Sequence, residues 1–530
     1  MRSTSYGQCP SDAPRRRKRS RGSGLAAGHK SVALGDAPLK IDTPITDGIP
    51  FEGVPEIDNR DERAAETSQE AYIQDNRQDI LRLPVVGALL KWRWLQPLIE
   101  IPMVITFVLV IIVGIWGTQE PSQNLATMLI WIYWWSMIIF SFVLVGRIWC
   151  FICPLGAVGE WISRRVGTLG RKWPKALRNL WPAHIFFITL TGVDLVFGID
   201  TLPNVTGYFL LMIMVMSIVL ALVYERRAFC RYVCPIGGMC GIYSMSSGVE
   251  VRAKSRGRCE SCTTKECIKG TDESYACPWF EYPGEMDRNN YCTTCLECVR
   301  SCPHDNVGMS ARPLGQDLWR TKTRVFDEVI LAVGMIGVMA SHTIATTQPF
   351  DDWVTATEVD QGIPAWLTLT LVYVGSIILA NFAYYGISAL GGRAASTEDR
   401  VLDTATVFKW TGYAMIPLSL AMFMARNVLF LNIWGTAIMD VIANMSNPPG
   451  WPLGSGPVEA QYLFPDSTIW WIRMAIILLG FIFSAYAGYR LSLRLQPRRR
   501  EAQLLLAVII LALVVFSIVY VWILSLPLVA

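Results

Sequence analysis

Residues 125–156, LATMLIWIYWWSMIIFSFVLVGRIWCFICPLG, run from an apolar block of about twenty residues into an arginine, two cysteines, a proline and a glycine. Residues 203–237, PNVTGYFLLMIMVMSIVLALVYERRAFCRYVCPIG, repeat that order. A block of this length crosses a hydrocarbon core of about 30 Å as a helix. Each is preceded by another apolar block, at 99–117 and 183–199, so the region reads as two helical hairpins in tandem, an internal repeat. Five further blocks, at 324–345, 364–390, 405–425, 468–489 and 504–525, bring the total to about nine. The composition agrees: 52% of the 530 residues are hydrophobic and 17% charged, against roughly 25% charged in soluble proteins. The fold class is therefore an all-α polytopic membrane protein, and an ordinary soluble enzyme is excluded. A formal charge of +4 argues against nucleic acid as a partner, and the one dense basic run, Arg15 to Arg19, reads as a solvated tail.

Between the second hairpin and the last five blocks, residues 250–322 lose their hydropathy and gain cysteines. Four regions follow: a polar, disordered leader at 1–90, the two hairpins at 91–249, the soluble insert at 250–322, and a five-helix domain at 323–530. The last holds a long loop at 427–467, with Val428 to Met445 expected as an interfacial helix and the loop as a docking surface. Arg164, Arg165, Arg171, Lys172, Lys175 and Arg178 crowd the loop after the first cysteine pair, and Arg393, Arg400, Arg490 and Arg494 fall on the same side. By the positive-inside rule that side is cytoplasmic, which puts the leader and the insert in the cytoplasm and the carboxyl end outside a bacterial inner membrane.

Twelve of the 14 cysteines fall in short-spaced groups, which points to metal ligation. Cys292-x2-Cys295-x2-Cys298-x3-Cys302-Pro303 has the spacing by which three thiolates in a tight loop hold a 4Fe-4S cube while the fourth reaches another cluster. Cys259, Cys262, Cys267 and Cys277-Pro278 form a looser copy. Two tetrahedral zinc sites are the rival, although zinc modules are built from separated CxxC knuckles. The juxtamembrane pairs, Cys150/Cys153 and Cys230/Cys234, end the two hairpins, where neighbouring arginines would favour thiolates. They could hold a further Fe-S cluster, take Cu(I), or cycle between dithiol and disulfide. Cys9 and Cys240 are left over, the first in the leader and the second expected to pack as a small hydrophobe.

With Trp-Cys-x2-Cys-Pro-Leu-Gly and Phe-Cys-x3-Cys-Pro-Ile-Gly bracketing two hairpins, followed by the cysteine-rich insert, residues about 95–310 resemble the NapH/NosR/CcoG-type membrane polyferredoxins. The first pair is one residue shorter than the family's usual CxxxCP. The resemblance, and that of the insert to two-cluster bacterial ferredoxins, implies crossed ligands: one cube on Cys259, Cys262, Cys267 and Cys302, the other on Cys292, Cys295, Cys298 and Cys277. It implies electron transfer between a quinol or cytoplasmic donor and redox partner subunits in the membrane or periplasm. Neither the leader nor the five last helices is covered.

The remaining residues add less. Of four histidines, His184 and His342 fall at opposite ends of their helices and cannot share a b-haem, and no CxxCH occurs, so no haem is expected. His304 follows Cys302-Pro303 and either tunes a cube or faces solvent. Asp194, read as mid-helix in the third span, is a candidate proton acceptor in a quinone pocket. Glu100, Asp327 and Glu328 read as ordinary interface residues. The function expected is a membrane iron-sulfur electron relay in contact with lipid; a copper reductase or assembly factor and a redox-sensing regulator are the alternatives.

Overall fold

The computed structural model describes residues 78–272, 274–398, 400–445 and 461–529. Cys9, the basic run at 15–19 and residues 446–460 of the long loop lie outside the described residues. Eight helices are long and apolar enough to cross a membrane. They are α1 (Leu95–Trp116), α2 (Leu125–Val145), α5 (Pro203–Val223), α7 (Phe326–Ile344), α9 (Ala365–Ala395), α10 (Thr404–Trp434), α11 (Asp466–Leu495) and α12 (Arg499–Leu524). A ninth apolar helix, α4 (Trp181–Phe197), is shorter. Shorter helices α3 (Pro154–Val166) and α6 (Pro235–Ser244) follow the two Cys-Pro pairs, and α8 (Gln348–Gln361) follows α7. The chain is an all-α polytopic membrane protein.

Most spans present one face to the bundle and one to lipid, but α7 is the central post, with 83% of its apolar window buried. Gly337 explains how closely its neighbour approaches: a Cβ there would lie 2.6 Å from the Ser376 carbonyl oxygen of α9, and the Ser376 hydroxyl donates to the Gly337 carbonyl at 3.0 Å. Small residues at such crossings replace the hydrophobic driving force that lipid removes. The same device joins the hairpins, where Gly114 of α1 meets Gly207 of α5; a Cβ on Gly114 would lie 3.0 Å from the Gly207 Cα.

The insert is framed by a three-stranded sheet in the order β1-β3-β2, with β1 at Gln78–Asp79, β2 at Val249–Ala253 and β3 at Val307–Ala311. The antiparallel register runs from Val249 opposite Ala311 to Ala253 opposite Val307, so all eight cysteines of the insert lie between two paired strands, with Cys259, Cys267 and Cys298 on short helices at Arg256–Glu260, Glu266–Lys269 and Glu297–Ser301 and the others in loops. Two expectations are corrected here. Residues 78–90, assigned to the disordered leader, pair with β3 and continue into a helix at Pro84–Lys91. Val428 to Trp434, assigned to the external loop, continue α10, and only Ala437–Met445 form a separate helix.

The insert docks on the membrane domain through buried charge. Arg288 donates to Glu328 at 2.8 Å, and Asn290 and Tyr413 bond the same carboxylate. Asp327 accepts the Leu180 N–H at 2.8 Å, tying the start of α4 to the start of α7. The two acids read as interface residues are thus fixed partners inside the protein. At the far end of the bundle the Gln348 N–H donates to the Pro527 carbonyl at 2.8 Å and the Val529 N–H to Thr346 at 3.0 Å. The final helix therefore ends on the side opposite the cysteines.

Candidate metal centres

The loops of the insert bring its thiols together in two sets. Cys259, Cys262, Cys267 and Cys302 lie within electrostatic reach of one another. Asn306 spans this set: its backbone N–H donates to the Cys302 sulfur at 3.3 Å and its side-chain amide to the Cys259 sulfur at 3.2 Å. Cys277, Cys292, Cys295 and Cys298 form the second set, each acting on others of the four. Thr294 and Leu296 take left-handed φ of 58° and 60°, which turns the chain tightly about Cys295; Lys265 does the same before Cys267, with φ of 49°. Burial pushes the Cys267 thiol up to about 11 and the Cys295 thiol up to about 12. Cys262 departs downward, held there by the Thr264 hydroxyl, and Ser261, Thr263 and Thr264 of its loop are exposed.

The juxtamembrane cysteines meet by exchange between the repeats. Helix α3, which continues the first hairpin, packs on α5 of the second, whereas α6, which continues the second, packs on α2 of the first and on α4. The exchange carries Cys150 and Cys153 to Cys230 and Cys234, and all four lie within electrostatic reach. The unequal spacing of the two pairs is absorbed locally. Cys150 sits in an α-helical turn, Ile148–Ile152, whereas Cys230 sits in a π-helical one, Phe229–Val233, where the Cys234 N–H donates five residues back to Phe229 at 2.8 Å. Both pairs then end alike, with Cys153 at φ −66°, ψ 125° and Cys234 at φ −56°, ψ 120°, each capping a helix that starts on proline. Backbone N–H groups of Leu155 and Gly156 point at Cys153 and that of Gly237 at Cys234.

The arginines do less to the thiols than expected. A hydrogen bond from Cys240, together with Arg147, pulls Cys150 down to about 6. For Cys153 and Cys230 burial outweighs the neighbouring guanidiniums and pushes the thiols up to about 11 and about 12. Cys240 is fully buried as expected, but as a hydrogen-bond partner of Cys150 and not simply as a small hydrophobe.

What the arginines do is join sites. Arg147 reaches the Cys150 sulfur at 3.3 Å, the Asn290 carbonyl at 2.5 Å and the face of Trp279 at 4.2 Å. Arg226 bonds the Cys277 carbonyl, and Arg231 donates to that of Trp279 at 2.7 Å. Arg227 donates to the Cys150 carbonyl at 3.1 Å, pairs with Glu160, and lies 3.6 Å from Glu100. The second thiol set is thereby held against the juxtamembrane set, and the first, through the Cys267–Cys298 pair, lies farther out.

Asp194 stands apart. It lies in the last turn of α4, not mid-helix, and its carboxylate accepts the Asp200 N–H at 2.9 Å, closing the turn that follows. His184 stacks on Trp181 at the opposite end of that helix, whereas His342 lies edge-on to Tyr373, itself bonded to Thr191. His304 is exposed.

Comparison with known proteins falls on the juxtamembrane repeat. Residues 127–176 and 206–251 match a family model described as a 4Fe-4S binding domain. The chain is 28% identical over 216 residues to YccM of Escherichia coli (strain K12), named as an electron transport protein, covering 35% of this chain and 56% of YccM. It is 28% identical over 145 residues to the methylamine utilization ferredoxin-type protein MauN of Paracoccus denitrificans, covering 23% and 48%. To the ferredoxin-type protein NapH of Haemophilus influenzae it is 23% identical over 205 residues, covering 33% and 66%. The chain thus spans about half the length of YccM and MauN. No solved structure matches. Fold and cysteine sites together define a membrane-spanning 4Fe-4S binding protein. Within that class the juxtamembrane repeat is similar to the ferredoxin-type proteins NapH and MauN and to the electron transport protein YccM.

Proposed function

We propose that the chain is a one-electron relay at one face of the bilayer, serving redox partner subunits. The observation that carries the reading is the crossing of the cysteine sets: Cys302 lies with Cys259, Cys262 and Cys267, and Cys277 with Cys292, Cys295 and Cys298. Each set offers four thiol ligands, and left-handed turns bend the loops about Cys295 and before Cys267. The four-cysteine run Cys292-x2-Cys295-x2-Cys298-x3-Cys302 with its trailing proline favours cubes over zinc, whose modules are built from separated CxxC knuckles. Bound there, two 4Fe-4S clusters would supply one-electron chemistry at potentials set by burial and by hydrogen bonds to sulfur.

The rest of the chain supports that task. The open loop at 261–264 offers a partner access to the first set, and Arg147, Arg226 and Arg231 clamp the second set to the membrane domain. The basic residues flanking α3, α9 and α11 lie at the cysteine end of the bundle, which supports a cytoplasmic placement of that face. Asp194 lies at the other end of α4, about 20 Å from its cysteine-side end at 1.5 Å per residue. A quinone there would be remote from every thiol set, so the relay reading does not use it.

Anaerobic purification of the intact chain tests the reading. Residues 259–302 are expected to hold about eight irons with matching acid-labile sulfide, and to give a low-temperature EPR signal on reduction. Cys267→Ser and Cys298→Ser are each expected to remove about half of that iron. Zinc in its place, or no signal after reduction, overturns the proposal.

A further inference from the structure

A cavity of about 380 Å³ opens at the cysteine end of the bundle, between the insert and the last turns of α11. The electron relay does not use it. Six basic and three acidic side chains line it. The acids are already answered from within the protein: Asp317 pairs with Arg252 at 3.2 Å and with Arg312, Glu250 lies 3.4 Å from Arg312, and Asp287 lies 4.0 Å from Arg288. What is left over is positive. Lys322 donates its backbone N–H to Asp287 at 3.1 Å and Arg490 donates to the Tyr486 hydroxyl at 3.3 Å, yet among the described residues no carboxylate pairs with the side chains of Arg256, Lys322 or Arg490. Arg324, buried with two nitrogens that lack a hydrogen-bond partner, lies within electrostatic reach of Arg494 and adds to the same field.

Helical period supplies a second, independent argument. Ile482, Tyr486, Tyr489 and Leu493 are spaced three or four residues apart, which sets them on one face of α11, and all four are exposed. Ile482 belongs to the apolar span, whereas Tyr489 and Leu493 are walls of the cavity. One stripe therefore runs from the lipid-facing side of the span into the cavity, past tyrosines of the kind that sit where hydrocarbon meets water. The arrangement is an apolar track that ends among cations. A soluble anion would use the charges and leave the track idle.

We infer that this cavity binds the phosphate head group of an anionic phospholipid, with an acyl chain laid along the stripe from Leu493 to Ile482. Arg490 meets the phosphate from α11, and Arg256 and Lys322 meet it from the insert, so one lipid bridges the insert and the five-helix domain. Guanidinium and ammonium groups bind phosphate through charge-assisted hydrogen bonds, and basic residues at a membrane surface select anionic head groups. The ordinary alternative is a helix end whose arginines reach into the head-group layer. It predicts no fixed stoichiometry and no contribution from Arg256. The lipid site needs neither iron-sulfur centre and stands apart from the relay reading.

The test is native mass spectrometry of the intact chain, delipidated in detergent and titrated with phosphatidylglycerol or phosphatidylcholine. The wild type is expected to retain a single phosphatidylglycerol and to release phosphatidylcholine. Lys322→Gln/Arg490→Gln is expected to weaken retention about 30-fold and Arg256→Gln about fivefold. Arg393→Gln, at the end of α9 and outside the cavity, is expected to leave it unchanged. Equal retention of the two lipids, or a double variant that binds like the wild type, overturns the inference. Inorganic pyrophosphate that binds through Lys322 and Arg490 where phosphatidylglycerol does not overturns it as well and assigns the cavity to a soluble phosphate ligand. If the double variant does not reach the membrane, Arg256→Gln and the wild-type preference between the two lipids decide.

Discussion

The thiols of residues 259–302 and those at the ends of α2 and α5 come together by different routes. In the insert each triad is local: Cys292, Cys295 and Cys298 occupy one loop whose left-handed turns at Thr294 and Leu296 bend it into a cup. Only the fourth ligand is distant, and β2 and β3 bring it in. The juxtamembrane set has no such cup. Its pairs lie about eighty residues apart in sequence and meet only because α3 crosses to α5 and α6 crosses to α2. A local cup tolerates damage to the scaffold around it, whereas a site built by exchange between helices depends on every contact that holds the exchange.

That contrast is broken most forcefully at Arg227. Its guanidinium joins Glu100 of α1, Glu160 of α3 and the Cys150 carbonyl to the second repeat. Arg227→Met leaves Glu100 with Gln96 alone and Glu160 with Arg164 alone, and breaking such a buried network by removing one side costs about 3–5 kcal/mol. The expected result is an earlier unfolding midpoint in detergent and rapid alkylation of Cys150, Cys153, Cys230 and Cys234, with the iron of residues 259–302 retained. Loss of the iron expected at residues 259–302 as well would show that the two sites share one scaffold and would erase the contrast.

A smaller effect separates the repeats themselves. Gly237→Ala sets a methyl 2.7 Å from a backbone carbonyl, which cannot move without shifting the π-helical turn of Cys230; overpacking of this kind costs about 1–3 kcal/mol. Gly156→Ala meets first the end of the Arg227 side chain at 3.0 Å, which can give way. Thermal unfolding of the two variants is expected to show the larger loss for Gly237→Ala. The reverse order would mean that the first repeat, with its shorter cysteine pair, is the more tightly constrained.

The same contrast governs what could be read without coordinates. Apolar blocks mark the nine helices because lipid demands long runs of apolar residues whatever the partners, and the cysteine spacing of the insert marks a local cup. Long-range pairing leaves no such mark. Arg147 and Arg227 look like two more charges of a positive-inside loop, and Glu100, Asp327 and Glu328 look like interface residues, although all five are buried in bonds that cross from one segment to another. Cys240 carries no motif; its role comes only from the packing that sets it beside Cys150. Residues 80–90 carry Ile80, Leu81, Leu83, Val85, Val86, Leu89 and Leu90, an apolar run too short to cross a membrane, and it orders beside the edge that β3 offers Gln78 and Asp79. The extra residue between Cys230 and Cys234 suggested unlike geometries, and a single π-helical turn removes the difference.

The gentlest probe leaves both scaffolds intact and touches one set of sulfurs. Asn306 donates through its backbone to Cys302 and through its side chain to Cys259, and the same side chain also pins Ser255 by two bonds, at 2.7 Å and 3.0 Å. Hydrogen bonds to cluster sulfur stabilise the reduced, more negative state. Asn306→Asp keeps the carboxyl-side acceptor for the Ser255 N–H but replaces the amide donor to Cys259 with an oxygen. The midpoint potential of the first centre is expected to fall while that of the second, whose sulfurs Asn306 does not touch, stays where it was. An EPR-monitored redox titration reads both. If the two centres shift together, their thiol sets are coupled more tightly than the separation of local cups implies, and the outermost position of the first set would have to be given up.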